Sequence, residues 1–250
     1  MATTKKPKPR TGSKPPPKPA PPAPADGTSS RGRPQGFVQR NSLTLAFALL
    51  MVLSLVGHAL TGTAHENAER EAHGLPPETV GEYLAGGSFQ STLFENWESE
   101  FLQMGLFVLL TVWLRQRGSA ESRKMDPEEE DPETTVPRAE QPWPVRAGGA
   151  WKPLYAHSLS IALLLLFAVS GVAHFVASWR QHAEDQARHG EPVTPMADYL
   201  GEPQFWFESF QNWQSEFLAV VALVLLSIWL REKDSTQSKP LTARHTDTGH

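Results

Sequence analysis

Four apolar runs divide the chain, and polar segments separate them. The first run, Leu43–Thr63, is about 31 Å long as a helix at about 1.5 Å per residue, which matches a hydrocarbon core about 30 Å thick. The third run, Leu159–Ser178, is nearly as long, whereas the second and fourth, Phe101–Leu114 and Phe217–Leu230, are shorter. The pattern predicts an all-α integral membrane protein with four transmembrane helices.

The two short runs leave an alternative open. Each has 14 residues, about 21 Å as a helix, and a buried helix of a soluble protein has the same length. The tryptophans favour the membrane. Trp97 and Trp113 are 16 residues apart, about 24 Å along a helix, and Trp213 and Trp229 repeat that spacing. Because tryptophan is enriched at both membrane interfaces, we expect each pair to mark the two faces of one bilayer.

An internal repeat relates the two halves of the chain. A shift of 116 residues lays residues 42–123 over residues 158–239 without a gap, and roughly a third of the positions are identical. Each unit contains a long apolar run, a polar segment, a short apolar run and an arginine. The sequence therefore predicts two tandem transmembrane hairpins, repeat 1 over residues 41–124 and repeat 2 over residues 157–240.

Polar segments precede, connect and follow the two hairpins. Residues 1–40 are rich in proline and lysine and contain few aliphatic side chains, which predicts a disordered tail. Residues 125–156 are acidic and proline-rich, which predicts a disordered linker. Residues 241–250 form a short C-terminal tail.

The polar loops inside the hairpins cover residues 64–96 and 179–212. Their first parts are helix-forming and end at Gly74 and Gly190, the pattern of a helix that ends in a glycine cap. We therefore expect the first and third transmembrane helices to continue into solvent.

Lysine and arginine predict the orientation. Along the chain the polar segments contain, in order, nine such residues through Arg40, one in 64–96, seven in 115–156, two in 179–212 and four in 231–250. By the positive-inside rule, both termini and the linker are cytoplasmic and the two loops face outward.

Several functional classes have no support in the sequence. The chain contains no cysteine, which excludes disulfides and thiolate ligands. It also contains no phosphate-binding glycine loop, H-E-x-x-H motif, nucleophile elbow or dinucleotide fingerprint. We therefore expect no enzymatic activity, no catalytic residue and no cofactor. The basic tail adjoins a transmembrane helix and has no aromatic residue before Phe37, which favours a membrane surface over nucleic acid.

Ionisable side chains recur at one depth of the apolar runs. His58 lies 15 residues after Leu43, and Glu100 lies 15 residues before Arg115, so each is about 22 Å from the cytoplasmic end of its run. At this common depth, His58 and Glu100 could meet near the outer boundary. With their counterparts in repeat 2, the candidate intramembrane polar site comprises His58, Glu100, His174, Glu216, Asn96 and Asn212.

Three interpretations of this site remain open. The glutamates lie where their apolar runs begin, where water or a histidine lowers the cost of a carboxylate, so the first interpretation is anchoring of the helix ends. The second is an interior site for a proton or cation. The third is surface interaction through the outer loops. Metal ligation by the two histidines and two glutamates has less support, and no metal is expected.

A motif shared by the two repeats points to a family. N-W-x-S-E-F-L occurs in FENWESEFLQ and in FQNWQSEFLA, and the loops contain AHGLPP and RHGEPV. With these motifs the chain resembles a family of uncharacterised bacterial membrane proteins known only as a domain of unknown function. The resemblance covers about residues 41–240, and Val193 departs from its double proline. It implies a multi-pass protein of the bacterial inner membrane and transfers no catalytic residue.

We therefore expect a structural or stress-associated envelope component whose outer loops contact partners. The alternative is a small proton or cation transport or sensing protein that uses the paired histidines and glutamates. Expected partners are the lipid bilayer, further copies of the chain or other membrane proteins, and not nucleic acid.

Overall fold

The computed structural model describes residues 36–126 and 136–249, and the regular secondary structure in this part of the chain is helical. The all-α prediction is confirmed for these residues. In chain order the helices are α1 (Phe37–Arg40), α2 (Ser42–Ala72), α3 (Val80–Ala85), α4 (Gly87–Leu110), α5 (Trp143–Ala147), α6 (Trp151–Ala156), α7 (Ser158–Arg188), α8 (Met196–Tyr199) and α9 (Pro203–Trp229).

The chain divides into two units within α2. The first ends at Met51, and its described part consists of α1 and the first third of α2. The second begins at Val52 and contains the rest of α2 and all later helices. The packing described below belongs to the second unit.

Three helices are long and apolar enough to cross a membrane, namely α2, α7 and α9. Few residues in their apolar stretches are buried in the protein, so most of these side chains face outward. α4 has a different composition, because Glu95, Glu98 and Glu100 lie near its middle and only the part after Glu100 is apolar. The apolar helices are consistent with a membrane protein.

α2 and α7 continue well beyond their apolar stretches, as the sequence predicts. The backbone reverses after each helix at a glycine with positive φ, 69° at Gly74 and 70° at Gly190. The N–H of Leu75 donates to the carbonyl of Arg70 at 2.8 Å, and Glu191 makes the same six-to-one hydrogen bond after α7. These are Schellman caps, so the two predicted glycine caps are confirmed.

The end of α4 departs from the prediction. The helix ends at Leu110, four residues before the end of the apolar run. The N–H groups of Val112 and Trp113 donate to carbonyls three residues earlier, which forms tighter turns. Thr111 directs its hydroxyl to a backbone carbonyl at 3.0 Å. Trp113 therefore lies three residues beyond the last residue of α4.

Helices also occur in segments predicted to be disordered. α1 lies at the end of the predicted tail, and α5 and α6 lie in the predicted linker. The rings of Trp143 and Trp151 pack with centroids 5.2 Å apart, which joins α5 to α6. The linker prolines Pro142 and Pro144 fall at the start of α5, where a missing N–H leaves no helical hydrogen bond unmade. The rest of these two predictions, on residues 1–35 and 127–135, lies outside the described residues.

The most extensive helix contact joins α4 to α7, and α9 packs against α4. Small residues make the first contact close, since Gly87, Ser91, Ser99 and Gly105 of α4 are all buried. At Gly87 the two backbones nearly touch, because a Cβ atom there would lie 2.6 Å from the backbone nitrogen of Gln181. Small residues allow this kind of approach between membrane helices.

A buried lysine joins the segments that follow α4 and α9. Lys239 is 2% exposed. Its ammonium lies 2.5 to 3.2 Å from four backbone carbonyls, those of Gly118, Arg244, His245 and Asp247. The hydroxyls of Ser119 and Ser227 are 3.1 Å apart, and the N–H of Gly249 donates to the Ser119 carbonyl at 3.0 Å. The described part of the C-terminal tail therefore packs back onto the segment after α4.

Replacement of Gly87 by alanine is expected to destabilise the protein by roughly 1–3 kcal/mol, because the added methyl group must push α4 away from the α7 backbone. Thermal unfolding in lipid nanodiscs, followed by circular dichroism, measures the effect. Gly57→Ala is the matched control, since a Cβ atom at Gly57 meets nothing within 4 Å. Equal stability of the two variants would contradict the close α4–α7 packing.

Candidate functional site

A histidine lies fully buried between two carboxylates where α4, α7 and α9 meet. Nδ1 of His174 is 2.7 Å from Oε2 of Glu98, and Nε2 is 3.4 Å from Oε2 of Glu208. His174 is 0% exposed and Glu98 is 4% exposed. Both ring nitrogens therefore face a carboxylate away from water. We call the set Glu98, His174, Ser178, Tyr199, Gln204 and Glu208 the histidine cluster.

The α7 part of this cluster arises from helical periodicity. Four polar side chains occur at intervals of four residues and so lie along one face of the helix, namely Ser170, His174, Ser178 and His182. Ser170, His174 and Ser178 are buried. Gly171 beside them faces Glu98, since a Cβ atom there would be in van der Waals contact with Cγ of Glu98 at 3.6 Å.

Glu208 receives several hydrogen bonds from the cluster. Ser178 donates through Oγ to Oε2 at 2.6 Å, and Gln204 donates through Nε2 to Oε1 at 3.0 Å. The hydroxyls of Ser178 and Tyr199 are 2.7 Å apart. Burial raises the pKa of Tyr199 to about 12, so its phenol stays protonated and donates to Ser178. With His174 also facing it, Glu208 is satisfied as an ionised acceptor.

The contacts of His174 require two protons. A neutral imidazole carries one N–H, and at Nε2 this N–H donates to the ionised Glu208. The second proton lies between Nδ1 and Glu98. It is either on the ring, which makes an imidazolium beside a carboxylate, or on Glu98, which makes a neutral acid beside a neutral ring. The two arrangements have the same net charge, so the Glu98–His174 pair can hold and transfer a proton.

Two further side chains extend the cluster. Asn212 on α9 donates to Oε1 of Glu95, which lies on α4 just before Glu98. On α7, Nδ1 of His182 is 2.9 Å from Oε1 of Gln204, and its ring packs on Tyr199 with centroids 5.1 Å apart. Nε2 of His182 is buried without a hydrogen-bond partner among the described residues.

The structure separates the residues of the predicted site. His174 belongs to the histidine cluster, and Asn212 binds Glu95 next to it. The ring of His58 packs on Phe89 with centroids 4.7 Å apart. The remaining three are distributed on α4 and α9, where Asn96 and Glu100 are exposed and Glu216 is partly exposed.

The carboxylates beside His174 are thus Glu98 and Glu208, and not Glu100 and Glu216. The described part of the chain contains no hydrogen bond or ion pair between His58 and Glu100. This corrects the expectation that these two side chains meet. The sequence argument matched residues by depth alone. Glu98 and Glu100 have nearly the same depth, but residues two apart on a helix point about 200° from each other.

Sequence reasoning also missed Ser178, Tyr199 and Gln204. A signal for Ser178 was present, because the four-residue spacing on α7 extends from Ser170 to His182. Tyr199 and Gln204 lie in the loop and at the start of α9, and no periodic pattern connects them to α7.

Metal binding has no geometric support within residues 36–126 and 136–249. There, no three histidine, aspartate or glutamate side chains are arranged to hold a metal ion.

The comparisons with known proteins identify the family. The family model for a domain of unknown function, DUF6766, matches residues 34–250, which is most of the chain. The chain therefore belongs to this family. No curated protein and no solved structure matches it.

Replacement of Glu98 by alanine is expected to destabilise the protein by about 3–5 kcal/mol, because it leaves His174 buried beside a cavity with one ring nitrogen unpaired. Glu98→Gln keeps an acceptor near Nδ1 and is expected to cost less. The control is Glu100→Gln, two residues away and exposed, with an expected change within about 0.5 kcal/mol. Chemical denaturation in mixed micelles measures all three, and a loss for Glu100→Gln as large as that for Glu98→Ala would refute the assignment.

Proposed function

We propose that the protein is a proton-responsive membrane protein, a sensor or transporter, in which Glu98 and His174 bind the proton. One observation carries the proposal. His174 is fully buried with a carboxylate at each ring nitrogen, on a helix that is long and apolar enough to cross a membrane. Ionisable groups in such segments are costly and typically mark proton or ion pathways.

The chemistry of the cluster supports a proton over a metal or an organic ligand. Histidine changes charge near neutral pH, and an adjacent carboxylate gives the proton a second position. The titratable groups near His174 are Glu95 and Glu98 on α4, Glu208 on α9, Tyr199 from α8 and His182 on α7. Carboxylates outnumber the histidines in this set, so uptake of a proton reduces the negative charge that is buried.

We further propose that all four long helices cross the inner membrane, with both termini in the cytoplasm. The alternation of lysine and arginine along the chain supports this topology. The extensive contact of α4 with α7 also supports it, because α4 then shares the depth of a helix that is apolar enough to cross.

Recurring ring contacts support two tandem hairpins. The Phe89 ring packs against Tyr83 and His58, and the Phe205 ring packs against the residues that lie 116 positions after them, Tyr199 and His174. The ring arrangement beside the histidine is therefore similar in both repeats.

The carboxylates of the cluster and Ser178 do not recur, which supports a single proton site. The positions equivalent to Glu98, Ser178 and Glu208 are Gln214, Gly62 and Thr92. None of these three side chains ionises, so the environment of His58 contains none of the cluster's carboxylates.

A structural envelope role without enzymatic activity is the second candidate. It is favoured by the ordered segments between the transmembrane helices, where Arg188 forms an ion pair with Glu66 at 2.8 Å and Asn67 exchanges two hydrogen bonds with Glu78. Such an ordered surface suits a protein partner. This role does not explain the buried histidine cluster.

The proposed topology predicts a labelling pattern for single cysteines, which are unambiguous because the natural chain has none. Leu75→Cys, Val136→Cys and Val193→Cys place a thiol at exposed positions in the first loop, the linker and the second loop. In intact cells, a membrane-impermeant maleimide is expected to label residues 75 and 193 only, and residue 136 after permeabilisation. Labelling of residue 136 but not of residue 193 in intact cells would show that α4 does not cross.

The proposed proton site predicts a loss of pH dependence. Each proton bound differently by the folded and unfolded states changes stability by about 1.4 kcal/mol per pH unit. The free energy of unfolding in nanodiscs is measured between about pH 4 and pH 9. For Glu98→Gln, the change of this free energy with pH is expected to be smaller than in the natural sequence by the contribution of about one proton. Glu100→Gln and Glu216→Gln, the carboxylates outside the cluster, are expected to keep it.

Proton uptake by proteoliposomes with an enclosed pH dye then separates the two modes. Uptake that Glu98→Gln abolishes and Glu100→Gln retains indicates transport, and pH-dependent stability without uptake indicates sensing. Identical stability profiles for all variants would refute the proton site.

A further inference from the structure

The repeat relates the α4–α7 pair to a second pair of helices, α9 and α2, whose equivalent sides do not pack against each other. A shift of 116 residues takes α7 onto α2, with identical length, and takes α4 onto α9. The structure buries the facing sides of α4 and α7 against each other and leaves the equivalent sides of α2 and α9 largely uncovered. This difference is the basis of the inference.

On α9 the uncovered side is a continuous stripe. In α4 the buried positions Ser91, Glu98 and Gly105 follow helical spacing along the contact. The equivalent positions of α9 are Phe207, Gln214 and Val221, and all three are exposed. Gln211 and Leu218 lie between them on the same side of the helix and are exposed as well. We call these five residues the α9 stripe. Two of them are glutamines, whose side-chain amides donate and accept hydrogen bonds.

On α2 the uncovered side carries the histidine of the repeat. In α7 the residues Ser170 and His174 are 3% and 0% exposed. Their counterparts on α2 are Ser54, which is exposed, and His58, which is partly exposed. The ring contact of His58 with Phe89 satisfies neither ring nitrogen.

The two uncovered sides are chemically complementary. Gln214 occupies the position of Glu98, and His58 occupies the position of His174, which Glu98 contacts at 2.7 Å. A glutamine amide both donates and accepts, so it can bind either tautomer of an uncharged histidine without burying a carboxylate. Hydrogen bonds of this kind stabilise contacts between membrane helices.

We propose that two copies of the chain pair in the membrane, with α2 of each copy packed along the α9 stripe of the other in the register of the α4–α7 contact. His58 of one copy then faces Gln214 of the second copy. Reciprocal pairing forms this contact twice and gives a closed twofold dimer. The proposal does not depend on proton binding at His174.

Cysteine crosslinking tests the register, because the natural chain contains no cysteine. Gly171 and Glu98 come close across the α4–α7 contact, and their counterparts are Leu55 and Gln214. Leu55→Cys and Gln214→Cys are therefore expressed together on chains with different tags and oxidised mildly in native membranes. The amount of disulfide-linked heterodimer is expected to be about fivefold or more higher than with the control pair, Gln214→Cys and Leu53→Cys. Residue 53 lies about 200° around the helix from residue 55.

Equal crosslinking of the Leu55 and Leu53 variants, or none, overturns the proposal. So does a doubly substituted chain, Leu55→Cys with Gln214→Cys, that forms its disulfide within one copy only. Native mass spectrometry of the unsubstituted protein released from nanodiscs provides an independent measurement. A dimer supports the proposal, and a monomer at every concentration overturns it.

Discussion

Burial of charge at His174 is the constraint on which the arrangement of the helices depends. Two carboxylates and an imidazole removed from water would cost several kcal/mol each if left unpaired. The contacts at 2.7 Å to Glu98 and 3.4 Å to Glu208 offset that cost only when α4, α7 and α9 are held in one register. Ser178 and Gln204 satisfy further oxygen lone pairs of Glu208. The hydrogen bonds of the cluster therefore fix the register of three helices that have mostly apolar surfaces.

The close approach of α4 to α7 allows Glu98 on α4 to reach His174 on α7. Gly87 and Gly105 let the helices pack closely, since a Cβ atom would lie 2.6 Å from the α7 backbone at Gly87 and 3.3 Å from the Leu164 side chain at Gly105. Membrane helices gain little from the hydrophobic effect on association, since lipid is as apolar as leucine. Small residues and hydrogen bonds are then the available sources of specificity, and the α4–α7 contact combines both. This explains why polar side chains in these helices concentrate on the shared face while the apolar ones remain exposed.

The two halves of the chain share one pattern and use it differently. In both, one phenylalanine ring packs against a histidine and against a tyrosine, at His58 and at His174. Only the second histidine receives carboxylate neighbours. The ring packing is thus present at both histidines, whereas the carboxylates occur at one of them. Membership of a family with no assigned activity sets no restriction on what the diverged site does.

The helical class, three of the membrane-crossing candidates and the glycine caps at Gly74 and Gly190 could be predicted from the sequence, because they depend on local composition and periodicity. The early end of α4 and the helices α5 and α6 could not, since neither the turns at Thr111 nor the Trp143–Trp151 contact shows in the hydrophobic periodicity of the chain. Depth along a helix identified His174 as a candidate, because depth is a count of residues. The choice of Glu98 over Glu100 was decided by the rotation of α4 against α7, and no count of residues along a single helix contains that angle.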